Sequence, residues 1–237
     1  MASATKLDTD IGAIFNAVWN TRDGYVVPET DDVALANGAV RLEAVILYAD
    51  LFHSTELQRK FDNRMGAKLV RAYLSSMSQL IKSHGGKVRS FDGDRVMGVF
   101  IGDTKNSNAA KCGLKMKYAV DQILRPKAEA KFSSLTTKGF KIRHCAGIAR
   151  SEVLVVRGGV RGSNDLVFIG TAPNIAAKLS ELRTTPYNTW IAQNVYSMLN
   201  EEAKYGGDPK QNMWTADKRT LAGEEWSVYK SSWTWKP

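Results

Sequence analysis

The stretch "AVILYADLFHSTEL", residues 44–57, starts as an apolar strand and then sets a carboxylate, Asp50, at its end. A charge at the end of a buried strand is costly unless something pairs with it. One role for Asp50 is to cap the helix that "HSTEL" begins. The other is to hold a cation, which calls for a second carboxylate nearby.

The residues that follow supply one. Leu57, Phe61, Met65, Leu69, Tyr73, Met77 and Ile81 recur at helical spacing, so a helix is expected over about 56–84. "HGG" at 84–86 ends it, with His84 as the terminal cap. "KVRSFD" and "RVMGVFI" then flank Gly93-Asp94 and read as a hairpin. An Asp in such a turn is ordinarily a turn residue, but adjacent antiparallel strands can bring Asp94 beside Asp50. Two carboxylates there repel unless a cation bridges them. Hard divalent ions take such oxygens and leave positions open for substrate phosphates.

Outward from this core, residues 1–40 form a weakly periodic N-terminal extension. It has one short helix near 10–19 and is packed on, or swapped across, a main domain of residues 41–237. A second helix is expected over 106–125, ending before Pro126. Strands follow at "KIRHCAGIA", "EVLVVRG" and "DLVFIG", then a helix from Pro173 in its first turn to about Arg183. "NTWIA", a short helix "QNVYSMLNEEA" and a strand "EWSVYKSS" complete the pattern. Strand–helix–strand–strand–helix–strand is the ferredoxin-like unit, so the fold class is α+β, with a mainly antiparallel sheet flanked by helices.

Composition narrows the field. The 237 residues are 43% hydrophobic and 24% charged, ordinary for a globular chain. No apolar run approaches the roughly 20 residues that span a bilayer, and "MASATKLDTD" lacks the layout of a signal peptide. Cys112 and Cys145 have no metal spacing and read as packing residues of a reduced, cytoplasmic protein. The formal charge of +9 favours anionic partners. No zinc-finger pattern, RNP-like strand or arginine-rich arm points to nucleic acid, and the charge in "KLVRAYLSSMSQLIKSHGGKVR", "KCGLKMKYAV" and "RPKAEAKF" reads mostly as solvated helix face. His53, His84 and His144 are too scattered for a metal site.

"ILYADLFHST", a helix and then "GGKVRSFDGDRVMGVF" resemble the catalytic domain of the class III nucleotide cyclases. The resemblance continues in "FIGTAPNIAAKLSEL" and in "NVY" at 194–196, and covers roughly residues 42–231. "RDGYVVPE" in the extension is similar to the bacterial pyrimidine cyclases of antiphage signalling. The resemblance implies that Asp50 and Asp94 hold two Mn²⁺ or Mg²⁺ ions per site, with the Leu51 carbonyl as a further ligand. It places the triphosphate on the backbone amides of Phe52, His53, Ser54 and Thr55, at a helix N-terminus that favours anions. Asn174 matches the ribose-orienting Asn, and Lys178 stands where the family has an Arg on the transition-state phosphate. Lys keeps that charge but loses the two-pronged geometry. Because the family draws the metal residues and the Asn/Arg pair from opposite subunits, a homodimer with composite sites is implied.

The expected reaction is attack of a ribose 3′-hydroxyl on the α-phosphorus of a nucleoside triphosphate, expelling pyrophosphate. For base choice, adenylyl cyclases carry Lys and Asp or Thr, and guanylyl cyclases Glu and Cys, at positions that are Ser90 and Val167 here. Neither purine pair is present, and an unpaired purine edge in a buried site costs about 1–3 kcal/mol per group. Tyr48 adds bulk that suits a single ring. Ser90 can donate or accept, so it does not separate uracil from cytosine. The resemblance favours UTP, giving 3′,5′-cyclic UMP as a second messenger of antiphage defence read by a separate effector protein. The alternatives are a cytidylate cyclase, an adenylyl cyclase with an altered pocket, or an inactive cyclase-like module that senses nucleotide or dimerises. A diguanylate cyclase is disfavoured, because the hairpin is not "GGDEF"-like.

Overall fold

The computed structural model describes residues 3–237; Met1 and Ala2 of the expected extension lie outside them. Helix α1 (Ala4–Asn16) begins six residues before the expected 10–19 helix, because the Ser3 side chain accepts the Lys6 amide and caps it. It buries none of its residues. Strand β1 (Asn20–Asp23) was not expected; all four of its side chains are exposed, so no hydrophobic alternation marks it. It pairs in parallel with the start of β2 (Gly38–Leu51). Between them, Val27 and Val33 are buried in the core. Glu29 pairs with Arg89 at 2.7 Å and Asp31 with Arg157 at 3.2 Å.

The long helix expected over 56–84 is two helices, α2 (Ser54–Lys60) and α3 (Asn63–Ser83). Asp62 causes the break, because its side chain accepts the Arg64 and Met65 amides and starts a new helix. The seven periodic apolar residues are all buried nonetheless. His84 caps the end of α3, with its Nδ1 at 2.8 Å from the Leu80 carbonyl oxygen. β3 (Lys87–Asp92) and β4 (Arg95–Phe100) form the expected hairpin.

α4 (Lys105–Tyr118) does not stop before Pro126. It runs through a π-helical turn at 119–124 into α5 (Arg125–Lys131), so the change from α to π geometry lies directly before Pro126, which has no N–H to donate. After α6 (Ser133–Thr137), β5 (His144–Val160) is one strand where two were expected, because the polar stretch Arg150–Glu152 stays paired with β2. β6 (Ser163–Ile169) folds back on β5, and α7 (Thr171–Ser180) ends three residues before Arg183. β7 (Thr189–Ala192) leads to α8 (Gln193–Tyr196) and α9 (Glu201–Lys204), which replace one expected helix. β8 (Tyr205–Gly206), β9 (Gln211–Asn212), β10 (Thr215–Leu221) and β11 (Glu224–Ser231) follow.

The main sheet runs β10-β11-β7-β5-β2-β4-β3, with β1 and β6 attached at its sides. Its inner order, β5-β2-β4-β3, is that of the ferredoxin-like unit, with β2 central and antiparallel to both neighbours. The sheet separates two cores. Leu47 and Leu51 face Tyr73, Ile81 and Leu114 of α3 and α4. Ile46 and Phe52 face Ile175 and Leu179 of α7. Gly147 of β5 allows α7 to lie against the sheet, since a Cβ there would fall inside contact distance of the α7 backbone at Ala176 and Ser180.

Candidate active site

The register of β2 against β4 sets Asp50 opposite Arg95, so Asp94, in the turn just before β4, lies at the same end of the sheet. Asp50 is only 8% exposed. Burial pushes its carboxyl above the usual range, the Arg183 guanidinium pulls it back down, and the negative charge of Asp94 raises it further. The capping role is excluded, because Asp50 belongs to β2 while His53, at φ 62°, is the residue that precedes α2. Among the described residues, no three His, Cys, Asp or Glu side chains converge on one point. The site therefore offers two carboxylates and backbone oxygen beside Leu51. That all-oxygen set fits a hard divalent cation that keeps positions for substrate oxygens.

Arg183 was not anticipated. Its Nη2 donates to Asp50 Oδ2 at 2.7 Å, its Nη1 donates to the Ser180 carbonyl at 2.8 Å, and its guanidinium carbon lies 4.1 Å from the Phe52 ring centroid. It follows α7 in "ELRTT", outside any recognisable motif. Arg95 was also missed. It bonds Asp92 and Glu181, each at 3.0 Å, and sits 5.3 Å from the Tyr48 ring centroid.

The expected phosphate cradle needs one correction. The Phe52 amide is not free, because it donates to the Arg143 carbonyl at 2.9 Å and extends the sheet past Leu51. Its ring is buried edge-on to His53. His53, Ser54 and Thr55 stand at the head of α2, and a cleft of about 660 Å³ lined by His53, Thr55, Glu56, Arg59 and Lys60 opens beside them.

For the base, the registers align Tyr48 with Met97 and Met97 with Ser90, so the three form one cross-strand row, two residues from Asp50. Burial pushes the Tyr48 phenol above its usual value, and the Arg95 charge works against that rise. Val167 does not join this row within one chain. It pairs with Val156, which faces Ala39. That is nine residues along β2 from Tyr48, roughly 30 Å at strand rise. Val167 is 46% exposed on the outer hairpin. Asn174 and Lys178 lie one turn apart on the exposed face of α7. Among the described residues, neither side chain makes a hydrogen bond or ion pair.

No protein-family model matches the sequence. The chain is 44% identical over 237 residues to a uridylate cyclase from Rhodovulum sp. (strain MB263), covering 100% of this chain and 99% of that one. It is 37% identical to uridylate cyclases from Xanthomonas perforans and Burkholderia cepacia, covering at least 99% of each chain. Among solved structures, it is similar to a bacterial light-regulated adenylyl cyclase, with a TM-score of 0.68 at 23% identity over 85% of this chain. It spans 54% of that longer chain. The guanylyl cyclase Cya2 gives a TM-score of 0.66 at 17% identity, covering 83% of this chain and 95% of that one. Both likenesses establish the class III cyclase fold.

Proposed function

This chain belongs to the uridylate cyclase family, and from that premise we propose that it converts UTP to 3′,5′-cyclic UMP and pyrophosphate. The observation that carries the reading is the meeting of Asp50 and Asp94 beside the Tyr48–Met97–Ser90 row. In this reading the two carboxylates hold the cations, and the neighbouring Tyr48 ring would narrow the space left for the base. When bound, divalent ions on these carboxylates would acidify the ribose 3′-hydroxyl and neutralise the phosphates.

The chain's own groups do the rest. The amides at the head of α2, from His53 to Thr55, would receive the triphosphate, with Arg59 and Lys60 of the adjoining cleft supplying positive charge. Asn174 would orient the ribose, and Lys178 would neutralise the charge that develops at the α-phosphate during in-line attack. The unengaged, exposed position of Asn174 and Lys178, and the distance of Val167 from Tyr48, support a homodimer in which one chain brings the aspartates and its partner brings α7 and β6.

Base choice rests on size and polarity. Tyr48 would fill the space a second ring needs, and Ser90 would supply one adaptable hydrogen bond. Ser90 alone serves cytosine equally well; the names of the full-length relatives favour uracil. Among the described residues, no helix is long and apolar enough to cross a membrane. Cys112 and Cys145 are buried and unpaired, in keeping with a reducing cytoplasm. The resemblance to antiphage cyclases supports a second messenger read by a separate effector protein.

The direct check is to incubate the purified protein with UTP and Mn²⁺ and follow products by mass spectrometry. Cyclic UMP and pyrophosphate should appear in equal amounts. Hydrolysis to UDP and phosphate, or no turnover at all, would overturn the assignment.

A further inference from the structure

Arg183 holds the carboxylate that the reaction needs for its cation. The pair is lopsided: Asp50 is almost fully buried, whereas the Arg183 side chain is 38% exposed and reaches in from outside. One terminal nitrogen of the guanidinium is committed to Asp50 Oδ2 and the other to the Ser180 carbonyl, with the Phe52 ring beneath the plane. Two of these three tethers do not involve Asp50. If Asp50 were claimed by a divalent ion, electrostatic repulsion would drive the guanidinium off the carboxylate. The Ser180 carbonyl and the Phe52 ring would still keep it beside the head of α2.

We propose that Arg183 is a placeholder on Asp50 that the divalent cation displaces, and that the displaced guanidinium then binds the triphosphate. This rests on the carboxylate metal site proposed above. The chemistry suits both states, because a guanidinium matches carboxylate and phosphate oxygens equally well and stays charged throughout. In the nucleotide-free protein it offsets the desolvation of Asp50; in the loaded protein it turns the same charge toward the substrate. Metal and nucleotide then bind cooperatively, since the arginine that yields to one is the ligand of the other.

The test uses the full-length protein, Mn²⁺ alone and inorganic tripolyphosphate, at about pH 8 where carboxylates are charged. Free Mn²⁺ is counted by electron paramagnetic resonance, and tripolyphosphate binding is measured by calorimetry at saturating Mn²⁺. Arg183→Gln should bind Mn²⁺ about three- to tenfold more tightly without nucleotide, and tripolyphosphate about tenfold more weakly. Arg183→Lys retains a charge but lacks the fork and should fall between; it also provides a reading should the Gln variant fold poorly. Unchanged or weaker Mn²⁺ binding in both variants overturns the placeholder role, and unchanged tripolyphosphate affinity overturns the phosphate role. Asp50→Asn and Asp94→Asn separate the layers. If both bind Mn²⁺ like the wild type, the metal site itself fails and takes this proposal with it; if both lose Mn²⁺ while Arg183→Gln is indifferent, this proposal alone fails.

Discussion

Substituting Gly147 by alanine tests how α7 is held against the sheet, and therefore where Asn174 and Lys178 are carried. Gly147 faces Tyr48 across β2 and β5, and α7 passes directly over it. A Cβ at this position would meet the Ala176 carbonyl oxygen and the Ser180 amide nitrogen inside contact distance, and the Leu179 Cβ at 2.7 Å. Two of these atoms belong to the helix backbone, so no side-chain rotation relieves them. To restore ordinary contact near 3.5 Å, α7 must retreat by about 1 Å or more. Overpacking of this kind costs about 1–3 kcal/mol, and a rigid helix backbone puts the expectation at the upper end, about 3 kcal/mol. For a chain of this length that lowers the melting temperature by about 6–12 °C. Thermal and urea unfolding of Gly147→Ala should show the loss, and UTP turnover should fall by at least about a hundredfold as α7 is displaced. A variant with wild-type midpoint and wild-type turnover would refute the close approach of α7 to β5 and the site geometry built on it.

Asp50→Asn and Asp94→Asn should each reduce turnover by at least about a hundredfold with the fold intact by circular dichroism; near-normal turnover in either removes the metal reading. Mixing Asp50→Ala chains with Lys178→Ala chains should restore partial activity through one intact composite site. Failure to complement when mixed dimers are shown to form would place each site within one chain. Tyr48→Ala should admit purines and reduce the preference for UTP over ATP, measured as a ratio of kcat/KM, by about tenfold, or roughly 1.4 kcal/mol. Buried His144 is pushed down to about 3 by desolvation, with neither ring nitrogen hydrogen-bonded among the described residues. The unfolded chain therefore binds a proton that the folded chain does not. Stability tied to this residue is intact above about pH 6.5 and falls by about 1.4 kcal/mol per pH unit from there down to about 3. Urea titrations should show a shallower acid slope in His144→Phe, and equal slopes would contradict the burial of a neutral imidazole.

The parts of the molecule legible in the sequence are those where local pattern and tertiary packing agree. The apolar run at 44–49, the turn of the β3–β4 hairpin and the apolar stripe of α3 are signals that packing preserves, although β2 starts six residues before that run, at Gly38, and the order of these elements fixes the ferredoxin-like core. Pattern misled where one side chain or one pairing overrides it. Asp62 divides a continuous stripe into two helices, and the helix continues past Pro126 by way of the π-helical turn before it. β1 and β10 present mostly exposed, polar side chains, so only pairing with β2 and β11 makes them strands. In the site, Asp50, Asp94, Tyr48 and Ser90 come together through strand register, which the Gly93-Asp94 turn between two short strands makes legible. Arg183 arrives from a loop after α7, and no periodicity encodes a contact across 133 positions. The commitment of the Phe52 amide to Arg143 depends in the same way on how far the sheet extends.

The central claim is tested most directly by offering the purified protein an equimolar mixture of UTP, CTP, ATP and GTP with Mn²⁺ and counting each cyclic nucleotide by mass spectrometry. Under competition the product ratio equals the ratio of kcat/KM values, and cyclic UMP should exceed each purine product by at least about tenfold. It should also exceed cyclic CMP and vanish in Asp50→Asn. Cyclic AMP formed as readily as cyclic UMP would contradict the base selection proposed for Tyr48 and Ser90.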